Sequence, residues 1–224
     1  MQKLTLYTYF RSSAAYRVRI ALHLKRLDYE PRYVNLLQDG GHEADYREIN
    51  PQGFVPVLVA DDVVLTQSLA IIEYLDEVCP EPPLLPAGAQ NRAYVRGLAQ
   101  LIVCDVHPLN NLRVLNYLKT FLGQGEDACR GWYRHWIAEG FAAFERRLER
   151  RSSAGCFCFG DTPTLADLCL VPQMYNARRF ECDLSAYPRL QAIDGHCSRL
   201  PEFCQAAPEA QPDEEAACKT TARA

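Results

Sequence analysis

Apolar and polar positions over residues 1–82 follow two periods, one typical of strands and one typical of helices. Stretches with the composition of β-strands alternate with stretches in which apolar residues recur every three or four positions, as on one face of a helix. The predicted elements are strands at 3–9 and 29–36, a helix at 13–25, a hairpin around Asp61-Asp62 at 55–65, and a helix that begins at Ser68. This order, β-α-β and then β-β-α, predicts a small mixed sheet with helices packed against it.

A proline-rich stretch at 79–86, CPEPPLLP, ends this pattern and predicts a stiff connector between two domains. Beyond it the apolar spacing is helical throughout, with helices predicted at 91–117, 127–150, 164–180 and 187–204. Thr164 and Asp167 have the spacing of a capping box, which we assign to folding. We therefore expect a first domain at 1–82, an all-α bundle at 90–208, and a disordered tail at 209–224, where the sequence is polar and aperiodic.

The composition limits the classes of function. Hydrophobic residues make up 48% of the 224 positions and the formal net charge is -4, so we expect neither a nucleic acid nor an anionic membrane as partner. No stretch approaches the roughly 20 apolar residues of a membrane span, and the first residues lack the features of a signal peptide, which predicts a cytoplasmic protein. The 10 cysteines contain no C-x-x-C pair and the 5 histidines have no metal-ligand spacing, so we expect no bound metal.

Three stretches carry candidate chemistry. Ser12 and Ser13 stand where the first strand gives way to a helix, a position at which the helix dipole and a hydroxyl donor stabilise a thiolate. Pro56 follows Val55 at a strand entry, and a cis bond there would turn the Val55 backbone outward, ready to pair with an extended peptide. Ser68, at the start of a second helix, can hold a carboxylate with its N–H and hydroxyl. Each stretch also has a plain structural alternative, a serine that only caps a helix or an ordinary strand-entry proline.

In this order and at these separations, the three stretches resemble the glutathione transferases, and most closely the zeta class of maleylacetoacetate isomerases and their maleylpyruvate isomerase relatives. The matching runs are RSSAAYRVRIAL (11–22), NPQGFVPVL (50–58), QSLAIIEYL (67–75), CDVHPLNNLRVLNYL (104–118), FGDTPTLADLCLVPQ (159–173) and NARRF (176–180). The resemblance covers nearly the whole chain up to about Gln211. It implies an α/β plus all-α fold, in which a thioredoxin-like domain binds glutathione and a C-terminal helical bundle supplies most of the substrate pocket.

The resemblance also implies roles for individual residues. Val55 pairs with the cysteinyl backbone of glutathione, and Gln67 and Ser68 hold its γ-glutamyl carboxylate. The full set of implied glutathione-binding residues is Ser12, His42, Val55, Pro56, Gln67, Ser68, His107 and Asn111. The implied catalytic residues are Ser12, Ser13 and Arg11, and the implied substrate-binding residues are Arg11, Arg113 and Arg179. Ala14 stands where family members often carry cysteine, but isomerisation does not need that thiol because the attacking sulfur belongs to glutathione.

The activity that the resemblance implies is the cis–trans isomerisation of a double bond conjugated to a ketone, in the degradation of tyrosine or other aromatic compounds. The substrate would be a dicarboxylate keto acid, maleylacetoacetate or maleylpyruvate, and the enzyme a homodimer. Two alternatives stay open. One is a transferase that conjugates or dehalogenates small electrophiles such as α-haloacids, and the other is a non-catalytic glutathione-fold module that binds partners.

Overall fold

A computed structural model describes residues 3–36, 41, 43–151 and 155–213. The contacts between residues divide the chain into two units. The first unit contains Met1–Pro83 together with the stretch that begins at Arg199, and the second contains Leu84–Ser198. No helix in the described ranges is both long and apolar enough to cross a membrane.

The first unit is built on a mixed sheet of four strands in the order β2-β1-β3-β4. Its elements along the chain are β1 Leu4–Thr8, α1 Ser13–Leu24, β2 Glu30–Tyr33, α2 Ala44–Ile49, β3 Val57–Ala60, β4 Val63–Thr66 and α3 Ser68–Val78. Strand β1 runs parallel to β2 and antiparallel to β3, and β3 forms a hairpin with β4. The predicted mixed sheet is therefore confirmed, whereas the short helix α2 was not predicted.

Helix α1 packs against α3 and is buried along most of its length. Its apolar residues Val18, Ile20 and Leu22 have no exposed surface. Lys25, at its C-terminal end, is also buried, although lysine side chains are seldom buried unless they are paired. Its Nζ donates hydrogen bonds to the carboxylate of Asp76 and to the backbone carbonyls of Cys79 and Pro82, at 2.6, 2.7 and 2.6 Å. These bonds satisfy the ammonium group and tie α1 to the end of α3 and the connector.

The second unit is helical. Its elements are α4 Ala89–Gln100, a π-helical turn Leu101–Val106, α5 Leu112–Thr120, α6 Glu126–Glu149, α7 Leu165–Arg179 and α8 Pro188–Cys197. The predicted helix 91–117 is thus interrupted between Val106 and Leu112. Helix α6 approaches the π-helical turn so closely at Gly140 that a Cβ atom there would overlap the Val106 side chain, which explains the glycine.

The predicted capping box at the start of α7 is confirmed. The buried carboxylate of Asp167 accepts hydrogen bonds from the backbone N–H and the hydroxyl of Thr164, both at 2.8 Å. It also accepts the backbone N–H of Cys158 at 2.7 Å, so it fixes the loop before the helix as well. Burial raises the pKa of this carboxyl, and the three donors oppose that shift. Asp167 is therefore a folding residue of the second unit.

The last described stretch returns to the first unit. A short helix α9, Pro201–Ala206, packs against α1 and buries Phe203 and Ala206 completely. The predicted helix 187–204 breaks before Pro201, because a residue before proline is disfavoured in the helical conformation. The contacts therefore place 199–208 with the first unit, whereas these residues were predicted to belong to the helical bundle.

The tail predicted to be disordered, 209–224, is ordered in its described part. A 3-10 turn, Pro208–Ala210, is followed by Gln211, which is buried, and by Asp213, whose carboxylate accepts a hydrogen bond from the Phe10 backbone N–H. Two polar side chains of this stretch, Gln211 and Asp213, are therefore hydrogen-bonded to the protein. Residues 214–224 lie outside the described residues.

Candidate active site

Three loops leave the sheet of the first unit at the same end. The register places Tyr7 of β1 opposite Val57 of β3, and Val57 opposite Thr66 of β4. This row of three residues lies at the end of β1, the beginning of β3 and the end of β4. The segments that carry Ser12, Val55 and Ser68 follow or precede this row by a few residues, so the fold brings the three predicted stretches together.

The first loop ends in an N-cap that offers hydrogen-bond donors. Ser12 closes a turn through its backbone N–H, which donates to the carbonyl of Tyr9 at 3.0 Å, and its Oγ accepts the N–H of Ala15 at 3.2 Å. Within the described residues, the Ser12 hydroxyl proton and the Ala14 N–H have no acceptor. Two donors and the positive end of a 12-residue helix therefore meet at one point, which suits an anion such as a thiolate.

Two neighbours of Ser12 differ in exposure. Ser13 is the first residue of α1 and is buried, so its position favours a supporting role. Arg11 is half-buried, and its guanidinium lies over the ring of Phe10, 4.8 Å from the ring centroid. This stacking keeps a positive charge beside the turn.

The second loop presents the Val55 backbone. The Val55–Pro56 peptide bond is cis, as the sequence analysis considered, and both residues are buried. In the described part of the chain neither the N–H nor the carbonyl of Val55 has a hydrogen-bond partner. A buried backbone left in this way suits a peptide ligand that pairs with it as an added strand.

Side chains on α2 and after it hold this loop in place. The Phe54 carbonyl accepts the Tyr46 hydroxyl at 2.6 Å and the Asn50 side-chain amide at 2.8 Å. Gly53 has a φ of +68°, and a Cβ atom there would overlap the backbone oxygen of Gly41. The loop therefore needs glycine at 53 both for its backbone conformation and for the close approach. His42, the predicted contact for the glycyl end of glutathione, lies outside the described residues.

The third loop leads into α3. Gln67, its N-cap residue, has a φ of +70° and makes no side-chain cap, and its Nε2 donates to the Gln52 side chain at 3.0 Å. Ser68 is buried at the first helical position. In the described ranges the backbone N–H groups of Ser68 and Leu69 have no partner, so they remain available to a carboxylate.

Arg17 also lies at this site, although it was not predicted from the sequence. Its side chain is only 1% exposed, and Nη1 donates to the Ser68 hydroxyl at 3.3 Å. A buried positive charge therefore lies next to the start of α3, where it adds to the attraction for a carboxylate. Hydrophobic spacing does not distinguish Arg17 from a solvated arginine, because Ser68, the residue that it contacts at this site, is 51 positions away in the sequence.

In the second unit, two of the predicted stretches meet around Tyr133. The Asn110 side-chain amide donates to the Tyr133 carbonyl at 3.1 Å, which attaches the turn after the π-helical segment to α6. The Tyr133 ring stacks on Phe180, with ring centroids 3.5 Å apart, and the guanidinium of Arg179 lies 4.7 Å from the Phe180 centroid. Burial raises the pKa of Tyr133 to about 12, and the charge of Arg179 opposes that shift. Tyr133 was not singled out in the sequence.

The other predicted residues of this unit lie beside the π-helical turn, at the start of α5 and at the end of α7. His107 is half-buried, and its backbone N–H donates to the Ile102 carbonyl at 2.8 Å. Asn111 caps α5, because its Oδ1 accepts the N–H of Arg113 at 3.1 Å. The side chain of Arg113 is exposed on α5, and that of Arg179 is exposed at the end of α7. Within the described ranges, no group of histidine, cysteine and acidic residues is arranged to hold a metal ion.

The fold and the three loops are those of a glutathione transferase, and residues 11–78 match the family model described as glutathione S-transferase, N-terminal domain. A probable maleylacetoacetate isomerase of Vibrio cholerae is 52% identical over 95% of this chain and 99% of its own length. A holo structure of a zeta-class bacterial maleylpyruvate isomerase superposes with a TM-score of 0.92 at 47% identity, over 93% of this chain and 99% of that one. A maleylacetoacetate isomerase of Anaeromyxobacter dehalogenans, with dicarboxyethyl glutathione and citrate bound in its active site, gives a TM-score of 0.85 at 43% identity, over 95% and 94%. The chain belongs to the zeta-class maleylacetoacetate isomerase family of glutathione transferases.

Proposed function

We propose that this chain is a glutathione-dependent isomerase that converts a maleyl keto acid, maleylacetoacetate or maleylpyruvate, into the trans fumaryl isomer. The observation that supports this best is the convergence of three sets of available backbone and hydroxyl groups at one end of the sheet. Ser12 and Ala14 offer donors to a thiolate, Val55 offers an unpaired backbone to a peptide, and Ser68 offers amides to a carboxylate. Glutathione is a tripeptide that carries all three of these groups, so the residues present fit it.

The residues of the first loop activate the reaction. Bound glutathione supplies the sulfur nucleophile that adds to the cis double bond and leaves after rotation about the resulting single bond. The Ser12 hydroxyl donates to that sulfur and, with the N-terminus of α1, favours its ionised form. Ser13 supports the turn from its buried position. Because the nucleophile comes from the cofactor, Ala14 is compatible with the reaction.

The second and third loops hold the rest of the cofactor. Val55 pairs with the cysteinyl backbone, and Pro56 keeps that edge free of a competing N–H. Gln67 and the amides at the start of α3 hold the γ-glutamyl carboxylate. The buried charge of Arg17, which is bonded to the Ser68 hydroxyl, adds to the attraction for that carboxylate. His42, His107 and Asn111 remain the proposed contacts for the outer parts of glutathione.

Arginines hold the carboxylates of the substrate. A maleyl keto acid carries two negative charges, and a guanidinium fork binds a carboxylate through two parallel hydrogen bonds. Arg11 stands beside the turn that carries Ser12, and Arg179 stands beside the Tyr133–Phe180 stack in the second unit. Arg113 is the third candidate.

We also infer from the family resemblance that the enzyme is a cytoplasmic homodimer. Light scattering on the purified protein would measure its oligomeric state.

A spectrophotometric assay with each keto acid, with and without glutathione, tests the proposed function. We expect turnover of at least one of the two only when glutathione is present, with glutathione recovered unchanged. A parallel assay with an α-haloacid measures the alternative activity. Absence of turnover with both maleyl acids, or equal turnover without glutathione, would refute the proposal.

A further inference from the structure

The position of the Ser12 hydroxyl depends on one tight turn. Residues 9–12 form this turn, which is closed by the hydrogen bond from the Ser12 N–H to the Tyr9 carbonyl. The N-cap conformation of Ser12, with φ −68° and ψ 111°, follows immediately. A small rotation of either preceding peptide would therefore redirect the hydroxyl, and misplacement by about 1 Å is enough to reduce catalysis strongly.

Arg19 holds this turn from the protein interior. Its guanidinium is fully buried, and Nη1 donates to the Tyr9 carbonyl at 3.3 Å and to the Thr8 hydroxyl at 3.0 Å. Nη2 donates to the Phe10 carbonyl at 3.0 Å. The Tyr9 carbonyl thus accepts hydrogen bonds from both Arg19 and Ser12. Burial lowers the pKa of Arg19 to about 10, so the side chain is still a cation at neutral pH and these bonds are charge-assisted.

The segment 201–213 also holds this turn in place. The Ala206 carbonyl, at the end of α9, accepts the Arg19 Nε–H at 2.9 Å and so orients the guanidinium. Asp213 accepts the Phe10 backbone N–H at 2.9 Å through Oδ2. Phe10 is therefore held at its carbonyl by Arg19 and at its N–H by Asp213, one residue from Arg11 and two from Ser12.

The path of the chain between α9 and Asp213 is itself fixed. The side-chain amide of Gln211 donates to the carbonyls of Gln205 and Ala207, at 2.9 and 3.0 Å. These bonds close the end of α9 and bury Gln211, which sets the position of Asp213 two residues later. The Tyr16 hydroxyl also contacts this segment, because it donates to the Phe203 carbonyl at 3.4 Å.

We infer that the segment 201–213 sets the position of the catalytic turn, and that Arg19 and Asp213 are positioning residues for Ser12. This inference rests on the proposed function, in which Ser12 donates to the glutathione sulfur. Both residues act through the backbone of Tyr9 and Phe10. A carboxylate on the Phe10 N–H and a guanidinium on the two carbonyls leave the turn little freedom to rotate.

The test compares three variants of the full chain. Asp213→Ala removes the acceptor, Asp213→Asn keeps an oxygen for the Phe10 N–H, and Glu209→Ala removes an exposed acid from the same segment as a control. The pKa of the glutathione thiol in the complex is read from the ultraviolet absorbance of the thiolate, and kcat from the isomerase assay. We expect Asp213→Ala to raise that pKa by about half to one unit and to lower kcat near neutral pH about threefold to tenfold. In Asp213→Asn, the thiol pKa and kcat should lie close to those of the unaltered protein. In Glu209→Ala, both should equal those of the unaltered protein.

Two results would overturn the inference. One is an Asp213→Ala protein with an unaltered thiol pKa, whether or not its thermal stability falls, since a purely structural residue would change stability alone. The other is an equal effect of Glu209→Ala. Ser12→Ala, measured alongside, distinguishes a failure of the proposed function from a failure of this inference. If Ser12→Ala leaves the thiol pKa unchanged, the proposed role of Ser12 fails and this inference fails with it. If Ser12→Ala raises the pKa and Asp213→Ala does not, only the inference about the segment is wrong.

Discussion

Replacing Ser12 by alanine should move the titration of bound glutathione to higher pH. A free thiol with a pKa of about 8.5 is only a few per cent ionised near neutral pH. A hydrogen bond to a charged acceptor contributes about 1.5–3 kcal/mol, and one pKa unit corresponds to about 1.4 kcal/mol. Loss of the Ser12 hydroxyl should therefore raise the pKa of the bound thiol by about one to two units. Because less thiolate is then present, kcat near pH 7 should fall about tenfold and recover as the pH rises.

The same substitution removes a helix cap, and a second variant separates the two effects. Ser12 accepts the Ala15 N–H, and loss of such a cap costs about 1 kcal/mol of stability. Ser12→Asp keeps an acceptor for that N–H but has no hydroxyl proton and adds a negative charge. We expect it to retain thermal stability while raising the thiol pKa at least as much as alanine does. A Ser12→Ala enzyme whose rate profile keeps its original midpoint between pH 6 and 9 would refute the reasoning.

Three further substitutions test other parts of the molecule. Arg17→Met keeps the buried volume but removes the charge and the hydrogen bond to Ser68. The Kd for glutathione, measured by calorimetry, should therefore rise about tenfold. An unchanged Kd would show that Arg17 does not belong to the site. Arg179→Ala should raise the KM for the keto acid about tenfold and leave the Kd for glutathione unchanged; loss of both together would mean that the residue is structural. Asp167→Ala leaves three buried donors without an acceptor. It should therefore lower the free energy of unfolding in urea by about 3 kcal/mol. A loss of under about 1 kcal/mol would contradict the role of Asp167 in folding.

The elements around the candidate site could be predicted because their causes are local. A cap such as Ser12 is recognised from the few residues around it, and so is the change from strand to helix spacing at Ser68. The sheet register, which the structure shows and the order of the elements did not predict, brings them together with Val55. The roles of these residues remain predictions until the variants are measured.

The buried cations could not be predicted, because their partners are distant in sequence. Arg17, Arg19 and Lys25 occupy positions that helical periodicity alone assigns to the polar side of α1. Each is buried because acceptors arrive from elsewhere: the Ser68 hydroxyl, the Ala206 carbonyl and the carbonyls of the connector. A hydrophobicity pattern reports the side chain and not its acceptors, so a satisfied buried arginine and a solvated arginine give the same pattern.

The helix boundaries in the second half differ for another reason. The periodicity predicts single helices over 91–117 and 187–204, and the structure breaks both. Pro108 and Pro201 lie in or beside these breaks, and a proline lacks the N–H that continues a helix and disfavours the helical conformation before it. The apolar spacing continues across both breaks, but α5, after the first break, has no buried residue, whereas α9, after the second, buries Phe203 and Ala206.

The return of α9 to the first unit bears on how the nascent chain folds during translation. The segment that contains Ser12 emerges from the ribosome early. The Ala206 carbonyl and the Asp213 carboxylate emerge only after the whole helical unit has been made. Domains generally fold as units, so the helical unit, whose residues are all made before α9, can fold while the first unit still lacks that helix. Under the proposed role of segment 201–213, the molecule would acquire its ability to ionise a thiol last, and incomplete chains would be inactive.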